Sequence, residues 1–182
     1  MDTYYNMERM LTDQDVRVIA DKPINLIIST DFDDIEHIND LFHGTNDTLI
    51  LYQNNDENNT LMGHWCALKR LDNNNISFYD SYSGHPDEPL AHIPMKYRKQ
   101  TGQVINHLRK LLYNSDYNNI HYNPHQHQRY SGNINTCGRH AGLYMRFNLD
   151  PEDYNKLLNR LSNITGIKDK DKLVTHLTEN LI

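Results

Sequence analysis

Apolar residues recur along this chain in short runs whose spacing changes several times between the strand and the helix period. Five runs are rich in apolar and β-branched residues and are bounded by Gly, Asn or Asp, which is typical of strands: 25–30, 48–52, 63–69, 76–80 and 120–122. The Asp-Asn-Asn-Asn stretch at 72–75 predicts a hairpin turn between the third and fourth strands. We therefore expect an α+β fold with a small mixed or antiparallel central sheet flanked by helices.

Helical spacing accounts for most of the remaining apolar positions. Thr12 and Asp15 form a capping-box pattern, which predicts a helix running to residue 20. A second helix is predicted to start at Thr30 and to bury an apolar face that reaches residue 42. The same reasoning predicts three further helices, over residues 102–113, 151–161 and 170–181.

Cys137 lies where a polar loop meets a run of helical spacing. Residues 126–136 are polar and contain turn formers, whereas the apolar residues from Ala141 to Phe147 recur at helical intervals. Unpaired N–H groups and the positive end of the dipole at a helix start both favour a thiolate. A glutamine upstream could supply an N–H group to an oxyanion. The alternative is an inert core thiol, since free cysteines are often buried.

Two further residues could complete a site around this cysteine. His64 lies on one predicted strand and Asp80 ends the next, so pairing of these strands brings an imidazole and a carboxylate together. The carboxylate would orient the ring, and the imidazolium would stabilise the Cys137 thiolate. Each residue also has an ordinary structural interpretation, a hydrogen-bonded strand histidine and a turn cap. Cys66 shares a strand face with His64, and we interpret it as structural.

Composition narrows the function classes. The 182 residues suit one domain over 1–182, and the formal charge of −6 without a basic block gives no sign of a nucleic-acid site. No apolar run reaches transmembrane length, and the polar start predicts no secretion signal. Two cysteines cannot form a disulfide framework, which favours a reducing compartment.

Three segments together resemble a known family. Gly63-His64-Trp65, the stretch Phe78-Tyr-Asp-Ser-Tyr-Ser-Gly84, and Gln128 followed by Cys137-Gly-Arg-His140 resemble the adenain-like cysteine proteases. That superfamily includes the adenovirus maturation protease and the proteases that process SUMO-type modifiers. These motifs are most similar to those of the proteases of virophages and Polinton (Maverick) elements. In those proteases an Asn-x-Asp precedes the histidine, as Asn54-Asn-Asp56 does here. The resemblance spans residues 49–147.

The resemblance implies a role for each matching residue. Cys137 would be the nucleophile, His64 the general base and acid, and Asp80 the carboxylate that orients His64. Gln128 would be the oxyanion donor, but the spacing from glutamine to cysteine is longer than is usual in the family, so Gln126 stays an alternative. Trp65 would form a wall of the substrate cleft, or else pack in the core.

By the same resemblance, we expect a viral, virophage-like cysteine endopeptidase that processes capsid proteins during particle maturation. It would cleave after small residues such as Gly-Gly or Gly-x. The adenovirus relative uses a peptide and DNA as activators, but this chain has no basic stripe for DNA and no evident partner for the peptide, so we expect no cofactor. It would act in the virion and the host-cell cytoplasm, with no membrane partner. The sequence does not give the oligomeric state, and a monomer is the favoured one. The alternatives are a SUMO-type deconjugating protease, an inactive binding module on the same fold, and a zinc site formed by loop histidines: His121, His125, His127 and His140.

Overall fold

A five-stranded mixed sheet forms the centre of the computed structural model, which describes residues 6–55 and 61–182. The strands stand in chain order: β1 (Asn25–Ile28), β2 (Asp47–Asn55), β3 (Leu61–Arg70), β4 (Asn75–Tyr79) and β5 (Asn119–Tyr122). The central pairs β2–β3 and β3–β4 are antiparallel, and the outer pairs β1–β2 and β4–β5 are parallel. The expected α+β architecture is confirmed.

The α-helices of the described residues are α1 (Asp13–Ala20), α2 (Met95–Gln100), α3 (His107–Tyr113), α4 (Cys137–Arg146), α5 (Pro151–Thr165) and α6 (Lys170–Thr178). Short 3-10 helices occupy Ser29–Asp34, Ile38–Leu41 and Glu88–His92. The capping box of Thr12 and Asp15 at the start of α1 is confirmed. Among these described helices, none combines the length and the apolar character needed to cross a bilayer.

Apolar side chains cover both faces of the sheet. One cluster joins α1, α4, α5 and α6 to the sheet, and the other joins the 3-10 segments and α3 to the opposite face. Helix α4 is the most deeply buried helix, because every residue from Cys137 to Met145 is buried. It therefore lies between the sheet and the other helices of its face.

Helix α4 is held closely near its middle and at its C-terminal end. A Cβ atom at Gly142 would lie 2.8 Å from Ile19 Cγ2, so the missing side chain lets α1 and α4 touch directly. At the C-terminal end, Lys69 of β3 donates from Nζ to the carbonyl oxygens of Tyr144 (2.7 Å) and Phe147. Burial lowers the pKa of Lys69 to about 7, and its Nζ satisfies carbonyl groups that the end of a helix leaves unpaired.

The prediction of a continuous helix from Thr30 to residue 42 is wrong. The segment forms two 3-10 helices, because the Asp40 carboxylate accepts from the backbone N–H of His37 and caps a new turn there. Phe32 and Leu41 are nevertheless buried, as the apolar spacing predicted. A tight turn period and an α-helical period place these side chains on similar faces, so the spacing did not distinguish them.

The helix predicted over 102–113 is right only from His107 onward. Gly102 has a positive φ of 77°, and the Arg98 guanidinium holds the following turn by donating to the carbonyl oxygen of Gln103 at 2.8 Å. Val104 and Ile105, which we expected on the apolar face, are 46% and 49% exposed. Helix α2, which precedes this turn, had no signal in the apolar pattern.

Candidate active site

Cys137 is the first residue of α4 and is only 9% exposed. Its sulfur has His64 as a hydrogen-bond partner and also receives the backbone N–H groups of Trp65 and Gly138. Burial acts to raise the pKa of this thiol, but the hydrogen bond and the charge of His64 outweigh it, so the pKa of Cys137 lies below the usual value. The arrangement favours a thiolate.

His64 and Asp80 meet at the end of the paired strands β3 and β4. The two atoms His64 Nε2 and Asp80 Oδ1 are 2.7 Å apart, and the same carboxylate oxygen accepts the Tyr82 backbone N–H at 2.8 Å. Burial acts to raise the pKa of Asp80, but His64 and the backbone N–H groups of Tyr82 and Gly84 hold that pKa below its usual value. Since Nε2 faces Asp80, Nδ1 is the ring nitrogen left to exchange a proton with the thiol.

The pKa of His64 is raised well above its usual value. Burial acts in the opposite direction, but negative charge on Cys66 and on Asp80, together with hydrogen bonds to Asp80 and Cys137, outweighs it. Burial also raises the pKa of the Cys66 thiol to about 12, so that thiol is neutral near pH 7. Of Cys66 and Asp80, Asp80 is therefore the residue whose negative charge acts on His64 near pH 7.

Gly84 leaves space for the Asp80 carboxylate. A Cβ atom at this position would lie 2.5 Å from Asp80 Oδ2, closer than two such atoms can approach. The backbone N–H of Gly84 also donates to the carboxylate. The residue that ends the Phe78–Gly84 segment therefore determines how Asp80 can be oriented.

Gln128 is 1% exposed and lines the same cavity as His64 and Cys137. Its Oε1 accepts from Ser81 Oγ at 2.7 Å, and its Nε2 donates to the carbonyl oxygen of Ile134 at 3.1 Å. Gln126 is exposed, and its side chain donates to the Gln128 carbonyl oxygen. Of the two glutamines considered from the sequence, Gln128 is the one that lines this cavity.

Two cavities of about 240 Å³ each lie on either side of the Cys137 thiol. They share the four residues Met62, Gly63, Asn135 and Cys137. The first extends past His64 and Tyr82, and the second extends along residues 10–12 and Trp65. Together they make a cleft in which an extended chain could pass over the sulfur.

Trp65 both lines the second cavity and packs against the core, and the ring that covers His64 belongs to another residue. The indole of Trp65 lines the second cavity, packs against the core and donates from Nε1 to the Leu11 carbonyl oxygen at 3.0 Å. Tyr82 stacks on His64 with ring centres 4.8 Å apart, and Tyr130 stacks on Tyr82 at 4.3 Å. The sequence analysis missed Tyr82, although its place two residues after Asp80 was a usable signal.

Asp171 of α6 holds both ends of the loop between Gln128 and Cys137. Its buried carboxylate accepts from the Arg129 backbone N–H at 3.1 Å and from Thr136 Oγ1 at 2.5 Å. His140 Nε2 lies 3.3 Å from the same carboxylate. The loop is therefore tied, next to each of its two ends, to one residue on another helix. Nothing in the sequence distinguished Asp171 from an ordinary acidic residue at a helix start.

The loop histidines do not gather into a metal site. Each of the four histidines has its own hydrogen-bond partner. His121 contacts Asn75 Oδ1, and His125 pairs with Glu152. His127 lies between Tyr79 and Asn155, and His140 contacts Asp171. Within the described residues, the group of His, Cys and acidic side chains whose possible ligand atoms lie within 4.8 Å of one another is His64, Cys66 and Asp80. That group belongs to the site already described. Asp56, quoted for the family resemblance, lies outside the described residues.

Comparison with known proteins bears on the origin of the chain. No protein-family model matches the sequence. Over 117 residues it is 33% identical to a protein of Sputnik virophage named "Uncharacterized protein V9", and the alignment covers 64% of this chain. The chain spans 66% of that relative, just under two thirds of its length. The virophage part of the resemblance is thereby confirmed, and the chain is related to a virophage protein.

Proposed function

We propose that this protein is a cysteine endopeptidase with Cys137 as nucleophile, His64 as general base and acid, and Asp80 as the carboxylate that orients His64. The proposal rests on one observation above all: a thiol at the start of a buried helix is hydrogen-bonded to an imidazole whose other nitrogen lies 2.7 Å from a buried carboxylate. This is the relation of nucleophile, base and orienting group that activates a thiol.

The chemistry follows from these contacts. The Cys137 thiolate attacks the carbonyl carbon of a peptide bond, and the Cys137 backbone N–H and the Gln128 amide donate to the oxyanion that forms. The C–N bond breaks as the His64 imidazolium gives its proton to the leaving amine, and a thioester remains on Cys137. Water then loses a proton to His64 and attacks the thioester. Breaking of the C–S bond releases the acid and restores the thiolate and the imidazolium.

The proposed substrates are capsid proteins cut during particle maturation, in the virion and the host-cell cytoplasm. The relation to a virophage protein supports a virophage origin, and the choice of capsid proteins as substrates follows from the family resemblance. The cleft on both sides of the thiol supports cleavage within an extended chain rather than at a free end. We propose cleavage after small residues such as Gly-Gly, as the family resemblance implies.

Iodoacetamide alkylation across pH tests the thiol chemistry without any substrate. The wild-type protein is expected to react through one thiol well below the free-cysteine pKa of about 8.5. The reaction should disappear in Cys137→Ala and slow in His64→Ala, while buried Cys66 stays unmodified. Slow alkylation, or alkylation that survives Cys137→Ala, would contradict the proposal.

Incubation with purified virophage capsid proteins then tests the substrate. Fragments with new amino termini after Gly should appear with the wild type and be absent with Cys137→Ala. Cleavage of a SUMO fusion after its Gly-Gly terminus, with the capsid proteins left intact, would contradict a role in particle maturation and support a deconjugating protease instead.

A further inference from the structure

We infer that Ser81 is a positioning residue for the oxyanion site, because it sets the orientation of the Gln128 side-chain amide. This inference rests on the proposed function and adds a residue to it. Ser81 directly follows Asp80, so two neighbouring residues would serve the two halves of the reaction. Asp80 orients the base, and Ser81 orients the donor to the oxyanion.

Ser81 contacts Gln128 through both its backbone and its side chain. The Ser81 carbonyl oxygen accepts the Gln128 backbone N–H at 2.9 Å, and its hydroxyl donates to Gln128 Oε1 at 2.7 Å. Both residues are 1% exposed, so water cannot easily replace these hydrogen bonds. The backbone contact thus sets where residue 128 lies, and the hydroxyl contact sets how the Gln128 side-chain amide is rotated.

The second contact of the amide gives its direction. Gln128 Nε2 donates one of its two hydrogens to the carbonyl oxygen of Ile134, which can only accept. The nitrogen is therefore held on the Ile134 side and the oxygen on the Ser81 side. The second hydrogen of Nε2 remains for the cavity that Gln128 shares with Cys137.

Loss of the Ser81 hydroxyl would leave Gln128 Oε1 buried without its donor. An unpaired buried acceptor is costly, so the amide would rotate or move to find another partner. Either movement takes the second N–H away from the place where the oxyanion forms. The ground-state contacts of the substrate would change little, so the effect should fall on kcat rather than on KM.

A double-mutant cycle tests the inference with a fluorogenic peptidyl-Gly-Gly aminocoumarin as substrate. Gln128→Ala is expected to lower kcat by about 10²- to 10³-fold, the usual loss for one oxyanion donor. Ser81→Ala should lower kcat by about 10- to 100-fold with little change in KM, since the donor is misplaced rather than removed. The double variant should equal Gln128→Ala, because Ser81 acts through Gln128.

Two controls separate positioning from folding. Ser162→Ala removes another buried hydroxyl, one that donates to the Ile167 carbonyl oxygen at 2.7 Å away from the cleft, and should leave kcat unchanged. Iodoacetamide alkylation of Cys137 should be as fast in Ser81→Ala as in the wild type, because alkylation forms no oxyanion. If Ser81→Ala does not fold, Ser81→Cys, which keeps the shape with a weaker donor, replaces it in the same cycle.

The outcomes are distinct. Effects of Ser81→Ala and Gln128→Ala that multiply in the double variant, or a Ser81→Ala protein with full kcat, would overturn the role of Ser81. A wild type that neither alkylates rapidly nor cleaves the peptide would instead overturn the proposed function itself.

Discussion

Replacing Asp80 by Asn removes a charge from the site while keeping the shape of the side chain. The Asn Oδ1 can still accept from His64 Nε2 and from the Tyr82 backbone N–H, the two contacts now made at 2.7 and 2.8 Å. The substitution therefore tests the charge separately from the hydrogen bonds. We expect it to lower the pKa of His64, because the neighbouring carboxylate helps to hold that pKa above its usual value.

The size of the change follows from Coulomb's law. The charges are spread over a ring and a carboxylate, so their centres are about 4 Å apart, which gives about 4 kcal/mol at an effective dielectric constant of about 20. At about 1.36 kcal/mol for each pKa unit, the upper limit is about three units. Relaxation of the site reduces this, so we expect the pKa of His64 to fall by about one to three units.

The measurement is the pH dependence of kcat/KM with the peptidyl-Gly-Gly aminocoumarin. Its acid limb reports formation of the Cys137 thiolate beside the imidazolium, and its alkaline limb reports loss of the proton from His64. In Asp80→Asn the alkaline limb should move to lower pH by that amount, while the acid limb stays nearly in place. Without a substrate, the NMR titration of the His64 ring, assigned by its loss in His64→Ala, should show the same fall.

The matched control is Asp87→Asn, which neutralises another buried carboxylate. The hydrogen bonds of Asp87 go to groups other than His64, namely the Arg109 backbone N–H and the Tyr52 hydroxyl. Its variant should keep the wild-type alkaline limb. An alkaline limb that does not move in Asp80→Asn, or that moves equally in Asp87→Asn, would refute the assignment of Asp80 as the charge that acts on His64.

Two further substitutions test the surroundings of the site. Gly84→Ala should lower kcat/KM by about tenfold or more, because its Cβ would lie 2.5 Å from Asp80 Oδ2 and must displace the carboxylate. Thermal melting should show that the variant is folded. Unchanged activity would mean that the Asp80 carboxylate can move without effect on the reaction. Lys69→Met should lower the free energy of unfolding in urea by about 2–4 kcal/mol, because it leaves the carbonyl oxygens of Tyr144 and Phe147 without their donor. A Lys69→Met protein as stable as the wild type would show that burial of the ammonium cancels its hydrogen bonds.

The strands could be predicted well because their residues are distinctive. Apolar, β-branched runs separated by Asn- and Asp-rich turns admit few alternatives, and the pairing of β3 with β4 followed from the short turn at 72–75. The segment from Thr30 to residue 42 could not be predicted correctly, since its outcome depends on one hydrogen bond from the His37 N–H to Asp40. Apolar spacing contains no information on such a contact.

Some residues of the candidate site could likewise be predicted from the sequence, and others could not. The positions of His64, Asp80 and Cys137 follow from strand pairing and from a loop entering a helix, both of which leave local patterns in sequence. The places of Tyr82 and Asp171 depend on how side chains meet across the fold. Asp171 is the harder case, because α6 is distant in sequence and an acid in a first helical turn is usually a solvated charge.

The tie between Asp171 and the loop has a consequence for the order of events during synthesis. The ribosome makes α6 after it has made His64, Asp80 and Cys137, so a nascent chain can contain all three before Asp171 leaves the exit tunnel. Until then the Arg129 N–H and the Thr136 hydroxyl have no shared acceptor, and the segment between Gln128 and Cys137 lacks the two contacts that Asp171 gives it. Whatever part of the proposed activity depends on these two contacts would therefore begin only when α6 has been made and has docked.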